Sequence, residues 1–303
     1  HGTRVKMRLF RSATLIIASA LALSAAPALA NPTILFDLDS GKVLAHREAF
    51  KRWHPASLTK LMTAYVTFRA LQAGELQLDS PIRVTKRAAS EPPAKMGYKA
   101  GSEMTLDNAL KMMLIKSAND IAFAVGENVG GSEKAFALRM NAEARRLGMT
   151  GSNFVNANGL HAPQQYTTAR DLALLVTAIR KEFPQYTHYF GIEGLAVGKK
   201  TLATYNMLVG RYQGADGMKT GFICASGFNI IASATRDGYT MVSVVLGEKS
   251  ALNRANVAAS LLDRGFSNPG IGKIKISELA PYGTDNDVAK DMRPEICEKQ
   301  PAE

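Results

Sequence analysis

Three short clusters in this chain carry side chains able to do covalent chemistry. Ser57-Leu58-Thr59-Lys60 places a hydroxyl and an amine one helical turn apart, so both share a face. Ser117-Ala118-Asn119 offers a second hydroxyl able to relay a proton and an amide able to hold a peptide group. Lys219-Thr220-Gly221 supplies a cation and a hydroxyl suited to a carboxylate, then a glycine that lets a ligand approach strand backbone. Each cluster occurs once. Serine is a weak nucleophile until a base removes its proton. No His/Asp pair is spaced as a triad, which leaves Lys60 as the local base candidate. A lysine serves only if desolvation or a nearby cation lowers its pKa, and Lys219 is that candidate cation.

Singly, each cluster has a plain structural reading. Ser57 would be a helix N-cap and Lys60 a solvated helix lysine. Ser117 and Asn119 would mark a helix break with local side-chain bonds, and Lys219 would be a strand-edge lysine before a bend. Three clusters in this order, at a helix start, in a helical block and on a late strand, favour chemistry. A serine opening a helix also sits where backbone N–H groups and the helix dipole favour negative charge. Arg254 either reaches this site or is solvated, and His161 reads as structural.

Elements must position these groups. Short apolar runs on either side of Asp39-Ser40-Gly41 predict a β-hairpin. Leu58, Leu61, Met62, Tyr65 and Phe68 fall at helical spacing, with Pro55 before and Gly74 after, predicting a helix over 56–73. Further helices are expected near 105–128, 132–147 and 168–182, the last opened by Thr168-x-x-Asp171 as a capping-box variant. Phe228 to Thr235 and Tyr239 to Leu246 read as strands joined by Arg236-Asp237-Gly238, with a final helix over 250–264. Strands therefore begin and end the domain around a helical block. The fold class is α/β (α+β), a mainly antiparallel sheet flanked by helices with an inserted helical subdomain.

Length and composition narrow the setting. The 303 residues are 46% hydrophobic and 21% charged, which excludes disordered and multi-pass membrane classes. Residues 1–30 hold four basic residues, no acidic one, an apolar run from Ala13 to Ala26 and Ala28-Leu29-Ala30, the pattern of a cleavable signal peptide. Its removal takes the formal charge from +11 to +7. No Arg/Lys run interleaved with aromatics suggests nucleic acid. The five histidines form no metal-binding pair, so neither metal nor cofactor is expected. The division expected is signal peptide 1–30, catalytic domain 31–265 and tail 266–303. The tail has no long amphipathic stripe, so no clear membrane anchor is expected after cleavage and the protein should be periplasmic. Export into an oxidising compartment favours a disulfide between Cys224 and Cys297, which would pin the tail across the sheet. The alternative is a buried Cys224 and a mobile Cys297.

The three clusters, with Pro55 to Thr63, Lys116 to Asp120 and Asp216 to Gly221 around them, resemble the low-molecular-weight penicillin-binding proteins, the serine-type D-alanyl-D-alanine carboxypeptidases. The resemblance covers about 31–265 and implies a penicillin-binding/β-lactamase-like fold. It implies that Ser57 is acylated, Lys60 is the base and Ser117 passes the proton to the leaving D-alanine. Asn119 would hold substrate backbone, while Lys219, Thr220 and Arg254 would recognise the terminal carboxylate. The oxyanion hole would be the backbone N–H groups of Ser57 and Phe222, next to Gly221. Peptidoglycan stem peptides are the implied substrate and β-lactams the implied inhibitors. Thr204-Tyr205-Asn206 departs from the family's asparagine-rich pattern, so no site residue is carried over there. A serine β-lactamase shares the clusters but uses a loop glutamate to activate water, and none lies between Glu143 and Glu182. D,D-endopeptidase action is the nearer alternative, and a non-catalytic envelope-binding protein the more distant one.

Overall fold

The described chain enters as a strand, β1 (Thr33–Asp37), and turns back antiparallel as β2 (Val43–Arg47). The computed structural model describes residues 31–283 and 288–298; the signal peptide expected over 1–30 lies outside them. A 3-10 turn, Ala56–Leu58, leads into α1 (Thr59–Gln72). This helix is buried on nearly every face, from Thr59 through Phe68. Two of its three threonines turn their hydroxyls to carbonyls: Thr63 Oγ1 donates to Ala157 O (2.6 Å) and Thr67 Oγ1 to Thr63 O (2.8 Å). Such pairing lets a helix with polar residues pass through a core.

The helical block follows. It comprises β3 (Pro81–Arg83), α2 (Lys86–Ala89), β4 (Glu103–Thr105), α3 (Leu106–Ile115), α4 (Asn119–Gly130) and α5 (Glu133–Arg146). The single helix expected near 105–128 is thus two. The break falls at Ser117, whose φ of 54° is left-handed and ends a helical run in a residue with a side chain. Helix α6 (Ala169–Glu182) starts as expected, with Thr168 Oγ1 accepting from Asp171 N (3.0 Å). The reciprocal half of the box is missing. The Asp171 carboxylate instead accepts from Gly151 N, Ser152 Oγ and Arg170.

After a small hairpin, β5 (Gly194–Val197) and β6 (Lys200–Ala203), the chain returns to the main sheet as β7 (Ala215–Ile223), β8 (Gly227–Arg236) and β9 (Tyr239–Glu248). The sheet is antiparallel, in the order β2-β1-β9-β8-β7. The β8–β9 connection pairs Arg236 with Tyr239 across Asp237 (φ 49°) and Gly238 (φ 80°), the two left-handed residues a tight hairpin needs. Alternation then assigns two cores. Ile230, Ala232 and Ala234 of β8 face Ala255, Ala258 and Leu262 of α7 (Ala251–Ser267), while Ile231, Val242 and Val244 belong to the larger core on the other face, where α6 packs against β9 and β1. The tail packs back on this body. Ile276 and Met292 are buried, Met292 N donates to Ala225 O (2.9 Å), and α8 (Arg293–Ile296) ends at the disulfide Cys224–Cys297. Strand β7 is left at the sheet edge, beside the start of α1.

Candidate active site

The approach to Ser57 is fixed by the sheet. Asn229 of β8 donates through Nδ2 to His54 O (3.1 Å) and Pro55 O (3.2 Å), and its Oδ1 accepts from Gly247 N (2.9 Å). Trp53 Nε1 donates to Ser226 O (2.9 Å), a second tie from this segment to the β7–β8 turn. Ala56 is then driven to φ 50°, a left-handed conformation costly for alanine and a mark of functional backbone. Gly159 (φ 88°) packs so close that an added Cβ would lie 1.9 Å from Ala56 O. Gly221 is also confined, because a Cβ there would lie 2.8 Å from Ser57 N.

Lys60 is 0% exposed, and its Nζ lies 2.8 Å from Ser57 Oγ, 2.9 Å from Asn119 Oδ1 and 2.7 Å from Asn158 O. Asn119 Oδ1 and the Asn158 carbonyl can only accept. When Lys60 is neutral, its two N–H groups can stay on those oxygens while its lone pair faces the Ser57 hydroxyl. Burial, reinforced by the Lys219 ammonium and opposed by Asp120, holds the Lys60 pKa well below the usual lysine range. Lys219 Nζ donates to Ser117 Oγ (3.0 Å) and Thr220 O (2.8 Å), so the second hydroxyl bridges toward the third cluster. Burial and then Arg254 bring the Lys219 pKa down to about 7, and burial lowers that of Arg254 to about 10.

All nine sequence-nominated active-site residues come together. Arg254 is buried, donates to Gly221 O (3.3 Å) and stands over the Phe228 ring; a solvated helix arginine is excluded. A cleft of about 580 Å³ opens over Ser57, with Asn119, Thr220, Phe222 and Arg254 in its walls and no carboxylate side chain among its lining residues. Phe222, 41% exposed, stacks on Phe228 at 4.2 Å. Cys224 lies on the same wall and is bonded to Cys297 with a Cα–Cα distance of 5.7 Å. His161 stacks edge-on against His54.

Several contributors escaped the sequence reading. Asn158 and Asn229 stand far along the chain from Lys60 and the Pro55 segment that they hold, and Tyr205, in the segment from which no site residue was carried over, lines the cleft. Asn206, also passed over, donates to Gly217 O (3.0 Å) and fixes the start of β7. Beside it, Asp216 pairs with Arg180 (3.1 Å), which holds its carboxyl below the usual range although burial opposes this. Only Asn158-Gly159 carried a local signal, as a turn pair.

Fold and side-chain cluster together define a penicillin-binding-protein architecture built around a serine–lysine pair. The chain belongs to the D-alanyl-D-alanine carboxypeptidase family, Peptidase S11, whose profile matches residues 20–250. It is 38% identical over 248 residues to D-alanyl-D-alanine carboxypeptidase DacC of Escherichia coli, covering 77% of this chain and 60% of that protein. Among solved structures, D-alanyl-D-alanine carboxypeptidase DacD from Francisella tularensis superposes with a TM-score of 0.76 at 28% identity, over 87% of this chain and 74% of that one. Penicillin-binding protein D2 from Listeria monocytogenes, in its cefotaxime-bound form, gives 0.71 at 29% identity, over 78% of this chain and 97% of that one.

Proposed function

We propose that this chain is a serine carboxypeptidase that removes the terminal D-alanine from peptidoglycan stem peptides ending in D-Ala-D-Ala. The observation that carries this reading is the fully buried Lys60 amine 2.8 Å from Ser57 Oγ, with its other two positions taken by acceptors. Neutral Lys60 takes the Ser57 proton as Oγ attacks the penultimate D-alanine carbonyl. The backbone N–H groups of Ser57 and Phe222 receive the oxyanion. Ser117 relays the proton to the leaving amine, Asn119 holds the peptide, and Lys219, Thr220 and Arg254 take the carboxylate. Water then hydrolyses the acyl-enzyme. β-Lactams acylate the same serine. Deacylation of that adduct is slow, because no carboxylate lines the cleft and Asp171 is engaged by Gly151, Ser152 and Arg170.

The catalytic unit spans 31–265, with the tail as a strap across it. Residues 1–30 direct export, and the protein works in the periplasm. No helix among the described residues is long and apolar enough to cross a membrane. The test is incubation with a muropeptide pentapeptide ending in D-Ala-D-Ala, alongside Ser57→Ala. Release of one D-alanine by the wild type alone supports the reading. Cleavage only of cross-linked dimers would make the enzyme an endopeptidase, and no cleavage with no acylation would make it a binding protein.

A further inference from the structure

Glu91 is a buried carboxylate outside the catalytic cluster, 4% exposed, in the loop that runs from α2 to the cleft wall. Its Oε2 accepts from Asn158 Nδ2 (3.0 Å), and its Oε1 accepts from Arg87. The backbone carbonyl of the same Asn158 receives Lys60 Nζ at 2.7 Å. Two further ties bind this loop to the site: Asn119 Nδ2 donates to Pro92 O (3.2 Å), and Asn119 N donates to Ala94 O (2.8 Å). Pro93 and Ala94 then form part of the cleft wall. Glu91 thus joins the residue that holds the lysine to the loop that shapes the cleft.

The geometry points to Glu91 as a positioning residue that orients the Asn158 carbonyl and thereby aims the Lys60 lone pair at Ser57 Oγ. The inference rests on Lys60 being the base. No strand fixes the Asn158–Gly159 peptide: its N–H end is held by Gly159 N donating to Asn156 Oδ1 (2.9 Å), and its carbonyl end depends on how the Asn158 side chain is anchored. Its Oδ1 is occupied by Leu160 N (3.1 Å), and its Nδ2 reaches Asn119 O only at 3.4 Å, so Glu91 is the short contact on that amide. If the Asn158 peptide rotates, Lys60 loses one of its two acceptor-only partners. Its N–H can then turn toward Ser57 in place of the lone pair. The requirement is for an acceptor at Glu91, and a glutamine oxygen meets it. An alanine does not.

The test is acylation by a labelled penicillin under single-turnover conditions, resolving the acylation step from the preceding binding constant. Lys60→Ala is run in parallel. Glu91→Ala should slow the acylation step by about ten- to a hundredfold with little change in binding, as misplacement of a reacting group does. Glu91→Gln should stay within a few-fold of wild type. Asn158→Ala should match Glu91→Ala, and the double variant should be no slower than either single one. A folded Glu91→Ala protein acylating at the wild-type rate would overturn the inference, as would Glu91→Gln as slow as Glu91→Ala, or additive losses in the double variant. Should Glu91→Ala fail to fold, Asn158→Ala and Glu91→Gln still decide it. Undiminished acylation in Lys60→Ala would instead remove Lys60 as the base, a failure of the function proposed above.

Discussion

Replacing Lys219 by glutamine should move the base as well as weaken carboxylate binding. Lys60 owes its depressed pKa first to burial and then to the Lys219 ammonium, with Asp120 acting the other way. Both ammonium groups are buried, so the repulsion between them is screened far less than it would be in water. Lys219 itself falls to about 7, so it carries its full charge only below neutrality, and the two lysines titrate as a pair. The sign is fixed by which form reacts. Acylation needs neutral Lys60, so the rate rises with pH through that pKa. Removing the Lys219 charge raises the pKa and shifts this acidic limb to higher pH. Lys219→Arg keeps a cation across the whole range and should not shift the limb upward. Both variants lose absolute rate, because both disturb carboxylate binding, so only the limb's position is diagnostic. The assay is kcat/KM for acylation by a labelled penicillin from pH 5 to 10, each profile normalised to its own plateau. A Lys219→Gln limb at the wild-type position would refute the coupling.

Labelled penicillin should add one adduct at Ser57 that intact-mass spectrometry still finds after hours at neutral pH, and none in Ser57→Ala; rapid loss would mark a β-lactamase. Gly221→Ala should retain the fold yet lose at least about tenfold in acylation, since its Cβ must displace the Ser57 and Leu58 amides, 2.8 and 3.0 Å away. Near-wild-type acylation in that variant would mean the β7 backbone does not limit the serine. Thiol counting on denatured, unreduced protein should find no free cysteine. Cys297→Ser should lower stability by up to about 4 kcal/mol in denaturant unfolding, the chain-entropy value for residues 73 apart. An unchanged midpoint would show that the tail docks through Met292 and its neighbours alone.

The parts of this protein legible in its sequence are those encoded over short spans. Ser57 and Lys60 declare their contact because a helix brings every third or fourth residue onto one face, and the β8–β9 hairpin declares itself through Asp237-Gly238. The break at Ser117 was legible only as the plain structural reading of Ser117-Ala118-Asn119, while the helical spacing on either side favoured one continuous helix; the structure takes the break, with Ser117 at a left-handed φ. The two small two-stranded sheets, β3–β4 and the β5–β6 hairpin, went unread. Their strands are three or four residues long, too short for alternation to register.

The catalytic geometry depends on a second class of contact, invisible to any window. Lys60 meets Asn119 across 59 residues and Asn158 across 98, and Lys219 meets Ser117 across 102. Each partner is a polar group that would be costly to bury alone, and each becomes affordable only when the others arrive. The same mutual dependence explains why residues with no chemistry of their own stand so close to the reaction. Asn229 and Gly159 fix Ala56 in a conformation alanine resists, and that conformation places Ser57 beside the lysine. A chain that kept the three clusters but lost Asn158, Gly159 or Asn229 would still look catalytic in sequence. On the reading proposed above, the lysine lone pair would be held less well toward its serine.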